Sequence, residues 1–205
     1  MVINLQKGQR VDLTKGNAGL SKIVVGLGWD PVEQKSSGGG FLGGLFGGGG
    51  SSKPNIDCDA SVLMLQNDKL ARQEDVVYFG RKTSTCGSVV HSGDNLTGDG
   101  DGDDEVITID LNAVPAQFNK LVFVVNIYEA QSRQQHFGMI RNAYIRVLEP
   151  GTNNELIRYN LSEDYQNQTA LITGEIYRHN NEWKFGATGT GTQDKKLGEV
   201  CARFT

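Results

Sequence analysis

The residues able to do chemistry crowd into one stretch, Gly93-Asp-Asn-Leu-Thr-Gly-Asp-Gly-Asp-Gly-Asp-Asp-Glu105, which holds the six acids Asp94, Asp99, Asp101, Asp103, Asp104 and Glu105. Carboxylates this close repel by roughly 1 kcal/mol per pair even in bulk water. The pattern therefore calls for a cation. Ca2+ fits, because it accepts about six to eight oxygens from carboxylates, amides, carbonyls and water. Glycines at 98, 100 and 102 let the backbone curl so that these oxygens converge, with Asn95 as a further oxygen donor. No Cys or His lies inside the loop, and an all-oxygen donor set disfavours zinc and copper. Mg2+ is the closer rival, but it demands a small octahedron and keeps its waters. The loop is not an EF-hand. Asp99, Asp101 and Asp103 match the first three ligand positions, yet Asp104 stands where glycine is required and Asp110 where glutamate is required.

A second acidic element is Asp57-Cys-Asp59-Ala-Ser61. In a strand, Asp57, Asp59 and Ser61 share one face while Cys58 and Ala60 point to the other. Two carboxylates at a strand entrance can reach a cation held by a neighbouring loop, and Cys58 reads as a small buried apolar residue. Catalytic signatures are missing: His91, His136 and His179 sit in separate segments, with no G-x-S-x-G, H-E-x-x-H or Walker loop. The expectation is a non-enzymatic, calcium-regulated binding module. The alternative from another class is a metal-dependent phosphoester hydrolase acting through Asp94 and Asp104.

The elements that must position these residues read as β-structure. Runs rich in β-branched and aromatic residues, bounded by turn residues, occur at 22–29, 61–66, 76–80, 88–91, 105–111, 120–128, 143–148, 156–161, 171–177 and 182–187. Several alternate cleanly, as in Val106-Ile-Thr-Ile-Asp-Leu111, whereas Leu121-Val-Phe-Val-Val125 is apolar throughout and belongs at a sheet centre covered on both faces. The last two runs form a hairpin. Short helices are expected at 112–119, where Pro115 suits only an opening turn, around 133–140, and at 162–166. The fold class is all-β, a sandwich of two mainly antiparallel sheets with a few short helices. No repeat of 20–50 residues is present, so a solenoid or propeller is not indicated.

With 205 residues the chain suffices for one domain with a real core. The reading is a domain over 1–192 with a C-terminal tail over 193–205. Glycine numbers 27, and nine of these fall between 38 and 50, so residues 35–53 read as a flexible insertion within the domain. Phe41, Leu42, Leu45 and Phe46 have the spacing of one helical face and form a candidate docking element. Acids outnumber bases by 24 to 20, for a net charge of −4. Setting aside the six acids of the loop leaves 18 acids against 20 bases, so the acidity is one loop and a nucleic-acid partner is not expected. Three cysteines, Cys58, Cys86 and Cys201, support neither a disulfide framework nor a zinc knuckle, which agrees with a reducing cytosol. The N-terminus has no signal-peptide pattern, and no apolar run approaches the ~20 residues of a membrane span. A cytoplasmic protein is expected.

Several motifs together resemble the TerD family of tellurite-resistance and calcium-binding stress proteins. They are Gly26-Leu-Gly-Trp-Asp30, Asp57-x-Asp-Ala-Ser61, His91-Ser-Gly-Asp-Asn-Leu-Thr-Gly98 with Gly102-Asp-Asp-Glu105, Asn142-Ala-Tyr-Ile-Arg146, Tyr159-Asn-Leu-Ser-Glu-Asp164, and Gly174-Glu-Ile-Tyr-Arg-His-Asn180 with Trp183-Lys-Phe185. The match runs in order from about residue 2 to 191. The resemblance implies a β-sandwich with two neighbouring Ca2+ ions, acting in bacterial stress responses with other Ter proteins at the cytoplasmic face of the inner membrane. It carries the metal ligands onto Asp57, Asp59, Asp94, Asn95, Asp103, Asp104 and Glu105, with Asp99 and Asp101 in support. Two departures stand out: the long glycine-rich insertion between Pro31 and Pro54, and a C-terminus, Lys195-Lys-Leu-Gly-Glu-Val-Cys-Ala-Arg-Phe204, without the family's small-residue tail.

Overall fold

A computed structural model describes residues 2–15, 19–31, 56–93, 102–152, 154–161 and 163–205. Strand-forming runs collect into two six-stranded sheets. The first, sheet A, runs in the spatial order β1 (Ile3–Leu5), β10 (Asn154–Asn160), β9 (Ile140–Glu149), β3 (Lys22–Pro31), β7 (Glu105–Asp110) and β6 (Val89–His91). The second, sheet B, runs β2 (Arg10–Asp12), β12 (Glu182–Thr192), β11 (Ala170–His179), β8 (Lys120–Ile127), β4 (Cys58–Leu65) and β5 (Val76–Tyr78). Every pairing is antiparallel except that of β1 with β10.

Alternation decides what each strand buries. Ile23, Val25, Leu27 and Trp29 of β3 face Cys58, Ala60, Val62 and Met64 of β4 and Leu121, Phe123 and Val125 of β8 across one core. Each fully buried side chain of this size contributes about 1.5–3 kcal/mol. The apolar run of β8 is central, as its composition requires, because its other face is covered too. Val122 and Val124 join Leu63, Leu65, Val76 and Ala170 in a second cluster on the outer side of sheet B.

The covering element is α1 (Leu197–Ala202), which buries Val200 and brings Leu197, Cys201 and Phe204 onto that cluster. Their positions, 197, 200, 201 and 204, carry the i, i+3, i+4, i+7 period of one helical face. Residues 193–205 are thus fastened to the sandwich. Leu70 N–H also donates to Phe204 O at 2.6 Å.

All ten expected runs are strands, with ends moved by a few residues. β1 and β2 were not expected, since Ile3-Asn-Leu5 and Arg10-Val-Asp12 each hold a single β-branched residue and form no β-rich run. The expected helices do not form as such. Over 112–119 the chain makes turns closed by Ala113 N–H to Asp110 O and Phe118 N–H to Pro115 O, because Val114 and Phe118 are drawn into the core. Over 133–140 only a 3-10 turn, Phe137–Met139, is present. Phe137 N–H is diverted to Gln168 O, and His136 Nδ1 accepts from Gly138 N–H, which stops an α-helix from propagating. Residues 163–166 hold one bend, at Glu163, and the start of a turn at Gln166. The glycine-rich segment 35–53, with Phe41, Leu42, Leu45 and Phe46, lies outside the described residues.

Val200→Ala removes two buried methyl groups and is expected to destabilise the protein by about 1–3 kcal/mol. The measurement is a lowered urea midpoint at unchanged slope. A shift within about 0.5 kcal/mol would place α1 outside the cooperative unit.

Candidate functional site

β6 ends at His91 and β7 begins at Glu105, so the acidic stretch is the connection of this hairpin at one end of sheet A. Of the expected ligands, Asp57, Asp59, Asp103, Asp104 and Glu105 are described, while Asp94, Asn95, Asp99 and Asp101 lie outside the described residues.

Asp104 sits astride β3. Its N–H donates to Leu27 O at 2.8 Å, and its Oδ2 accepts from Trp29 N–H at 2.8 Å. The last ladder pair is Leu27 with Glu105, so the Asp104 side chain takes the next amide that β7 no longer reaches. Burial pushes this carboxyl up to about 6, and the nearby charges of Asp30, Asp103 and Glu105 push the same way, against the Trp29 amide.

Asp103 faces the opposite way and lies across the outer surface of sheet A. Arg146 grips it with two prongs, Nε to Oδ1 at 2.8 Å and Nη2 to Oδ2 at 3.1 Å. Tyr144 Oη lies 2.9 Å from Asp103 Oδ1 and donates to Gly102 O at 2.7 Å. Hydrogen bonding to Asp103 raises the Arg146 guanidinium well above its ordinary value.

Glu105 turns inward and is buried with His91, whose Nε2 is 2.8 Å from Glu105 Oε2 and 3.1 Å from Ala60 O. Gly93 N–H donates to His91 Nδ1 at 3.0 Å, so the ring presents its N–H at Nε2. Because Ala60 belongs to β4 and Glu105 to β7, this imidazole ties the two sheets together beside the acidic stretch.

In β4 the expected alternation holds. Cys58 is fully buried in the core, and Asp59 is paired in register with Asn126, whose Nδ2 is 3.5 Å from Asp59 Oδ2. Arg133 Nη1 stands 3.9 Å from Asp57 Oδ2. Burial raises the Cys58 thiol strongly, and the charges of Asp59, Asp57, Asp104 and Glu105 raise it further. Burial and the acids at the starts of β4 and β7 thus hold Cys58 in its thiol form.

Among the described residues no three His, Cys, Asp or Glu side chains are grouped to hold a metal ion. Among the described residues the charged donors at this end are carboxylates and the Cys58 thiol is buried in the core, a donor set that suits a hard cation and not a thiolate-loving one. The described acids need further oxygens to complete such a shell. A cavity of about 560 Å³ lies elsewhere, between α1 and the chain around Leu70–Arg81, and its lining includes Cys201 but no histidine or carboxylate.

The sequence model of the TerD domain matches residues 1–204. The chain belongs to the TerD family. It is 59% identical over 204 residues to stress response protein SCP2 of Bacillus subtilis (strain 168), covering all of both chains. It is 49% identical to general stress protein 16U of the same organism, over 94% of this chain and 92% of that one. It is 41% identical to tellurium resistance protein TerD of Serratia marcescens, over 100% and 97%. In fold, it matches the structure of a telluride resistance protein (TerD) homologue, SCO6318 from Streptomyces coelicolor A3(2), with TM-score 0.64 at 20% identity, covering 91% and 99% of the two chains. Among the described residues of this TerD chain no helix is long and apolar enough to cross a membrane.

Two groups at this end of the TerD sandwich were not singled out from sequence. His91 stood in the sequence as one of three scattered histidines, and nothing local marks its burial against Glu105. Arg146 and Tyr144 lay inside a family motif without an assigned role. The signal for them is the pair Gly26 and Gly28, two residues apart on one face of a strand.

His91→Leu deletes the imidazole between Glu105 and Ala60, and a cost of about 1–3 kcal/mol is expected from leaving buried polar groups without their hydrogen-bond partner. Thermal or urea unfolding of the metal-free protein checks it. Because the folded Asp104 carboxyl titrates above its unfolded value, its ionisation opposes folding as pH rises through the range from about 4 to 6. Metal-free Asp104→Asn should therefore gain stability relative to wild type at pH 7.5 and lose that advantage at pH 4. Parallel melting curves at the two pH values test the sign.

Proposed function

We propose that the protein is a calcium-binding, non-enzymatic stress-response module of the tellurite-resistance type, cytoplasmic, and engaging other Ter proteins at a membrane surface in a calcium-dependent way. The carrying observation is that Asp57 and Asp59 at the start of β4 and Asp104 and Glu105 at the start of β7 lie at one end of the sandwich, where His91 bridges Glu105 to Ala60 O and the stretch with Asp94, Asn95, Asp99 and Asp101 precedes β7 in sequence. Relatives named for tellurium resistance and stress response support the setting.

Asp104, Glu105, Asp57 and Asp59 would supply hard oxygens, and residues 94–101 the remainder of a shell of about six to eight. Two Ca2+ ions would cancel the net charge of −4. Without metal, mutual repulsion opposes closure of the loop. With metal, closure fixes one end of the sandwich as a rigid surface for a partner. Phe41, Leu42, Leu45 and Phe46 are the proposed docking element of the insertion.

Calorimetric titration of chelator-stripped protein should report two Ca2+ ions, with a much weaker response to Mg2+. At a hundredfold excess of Ca2+ over Kd, linkage adds about 2.7 kcal/mol of stability, visible as a raised melting temperature. Absence of heat and of any melting shift, or equal response to Mg2+, sinks the proposal. Turnover of a phosphoester panel by the metal-loaded protein would favour the hydrolase alternative.

A further inference from the structure

We propose that Asp103 is a latch for the calcium loop and not one of its calcium ligands, with Arg146 as a positioning residue of the site. The inference rests on the calcium reading above. It departs from the ligand set that the family motif implies.

The seat for Asp103 is built into the register of sheet A. Gly26 lies directly opposite Arg146, and Gly28 opposite Tyr144, across β3 and β9. Neither glycine has room for a side chain: a Cβ at Gly26 would overlap the Asp103 carboxylate, and one at Gly28 would come 2.5 Å from the Tyr144 ring. The glycines leave a bare track over which Arg146 and Tyr144 fold toward Asp103. A second layer holds the clamp, since Arg146 Nη1 reaches Glu155 Oε2 at 3.0 Å, and the Arg158 guanidinium stacks on the Tyr144 ring at 3.9 Å.

Asp103 and Asp104 are neighbours at the bend before β7, and their side chains diverge. Asp104 goes to the edge of β3 and Asp103 to the outer face of the sheet. Both Asp103 oxygens meet the planar fork of Arg146, the geometry a guanidinium matches best. A dication on either oxygen would stand beside that fixed positive charge, at a half-buried position where water screens it poorly. What Asp103 contributes is order: it fixes the end of the loop, so that Asp104 and Glu105 are in place before an ion arrives.

The two roles predict opposite signs for one variant. If Asp103 were a ligand, Arg146→Ala would remove a competing cation and tighten Ca2+ binding. If it is a latch, Arg146→Ala leaves the number of bound ions unchanged and weakens affinity by ~10-fold or more, as for other groups that orient metal ligands. Asp103→Asn should behave the same way, and the double variant should be little worse than either single one, because both act through one contact. Tyr144→Phe, which removes only a hydroxyl, gives a smaller loss in the same direction and serves if Arg146→Ala fails to fold.

The experiment is calorimetric titration of chelator-stripped full-length wild type and these variants with CaCl2, reading stoichiometry and Kd separately, with melting curves in chelator. Unchanged stoichiometry with weakened affinity in Arg146→Ala and Asp103→Asn supports the latch. Tighter binding in Arg146→Ala, a lost ion in Asp103→Asn, or lowered melting with unchanged Kd overturns it. A wild type that binds no Ca2+ overturns the calcium reading itself and the latch with it, a result distinct from all of these.

Discussion

Like charge gathered at one end of a sandwich is the constraint that organises this molecule. Asp57 and Asp59 at the start of β4 and Asp103, Asp104 and Glu105 at the start of β7 lie at this end, and each meets a different counterpart. Arg146 takes Asp103, His91 abuts Glu105, the Trp29 amide takes Asp104, Asn126 reaches Asp59, and Arg133 stands near Asp57. Repulsion that would otherwise splay the hairpin end is met residue by residue, by groups drawn from both sheets.

The fold's architecture follows from supplying those counterparts. β3 is central in sheet A because it must present, on one face, the apolar residues Ile23, Val25, Leu27 and Trp29 to the core. On its other face it presents Gly26 and Gly28 to Asp103 and Tyr144. A strand bearing ordinary side chains at 26 and 28 would bury the same core and have no seat for the acid. On the far side of the molecule, β8 is apolar on both faces, which obliges α1 to cover it. The sandwich thus has one outer face closed by a helix and another reserved, at its acidic end, for charged contacts.

Strands were legible because alternation and β-branched runs reflect the burial that forms them. β1 and β2 were not, since each holds a single β-branched residue. α1 was legible in principle from the spacing of Leu197, Val200, Cys201 and Phe204, but its six-residue length and the glycine at 198 made it read as a tail. The apolar residues at 112–119 and 133–140 suggested helices because helical spacing and inward-turned loop residues look alike until the tertiary partners are known. At the site, the acids themselves could be read from composition. The destination of each carboxylate could not, because it is set by residues such as Arg146 and Trp29 that lie far away in sequence and adjoin only through sheet pairing.

The quality of each counter-charge grades the acids. A bidentate guanidinium compensates Asp103 almost as a fixed ion pair does, and hydrogen bonding to it is what raises the Arg146 value. Asp104 meets a backbone amide instead, a partial charge with no net positive unit, while Asp30, Asp103 and Glu105 press on it from nearby. Among the described carboxylates it is the one whose proton is held up to about 6. Burial is the first cause of that rise, whereas the Asp103 carboxylate is met by a guanidinium. Neighbouring residues of identical type thus differ in what they can do because β3 faces one with an amide and β9 faces the other with an arginine.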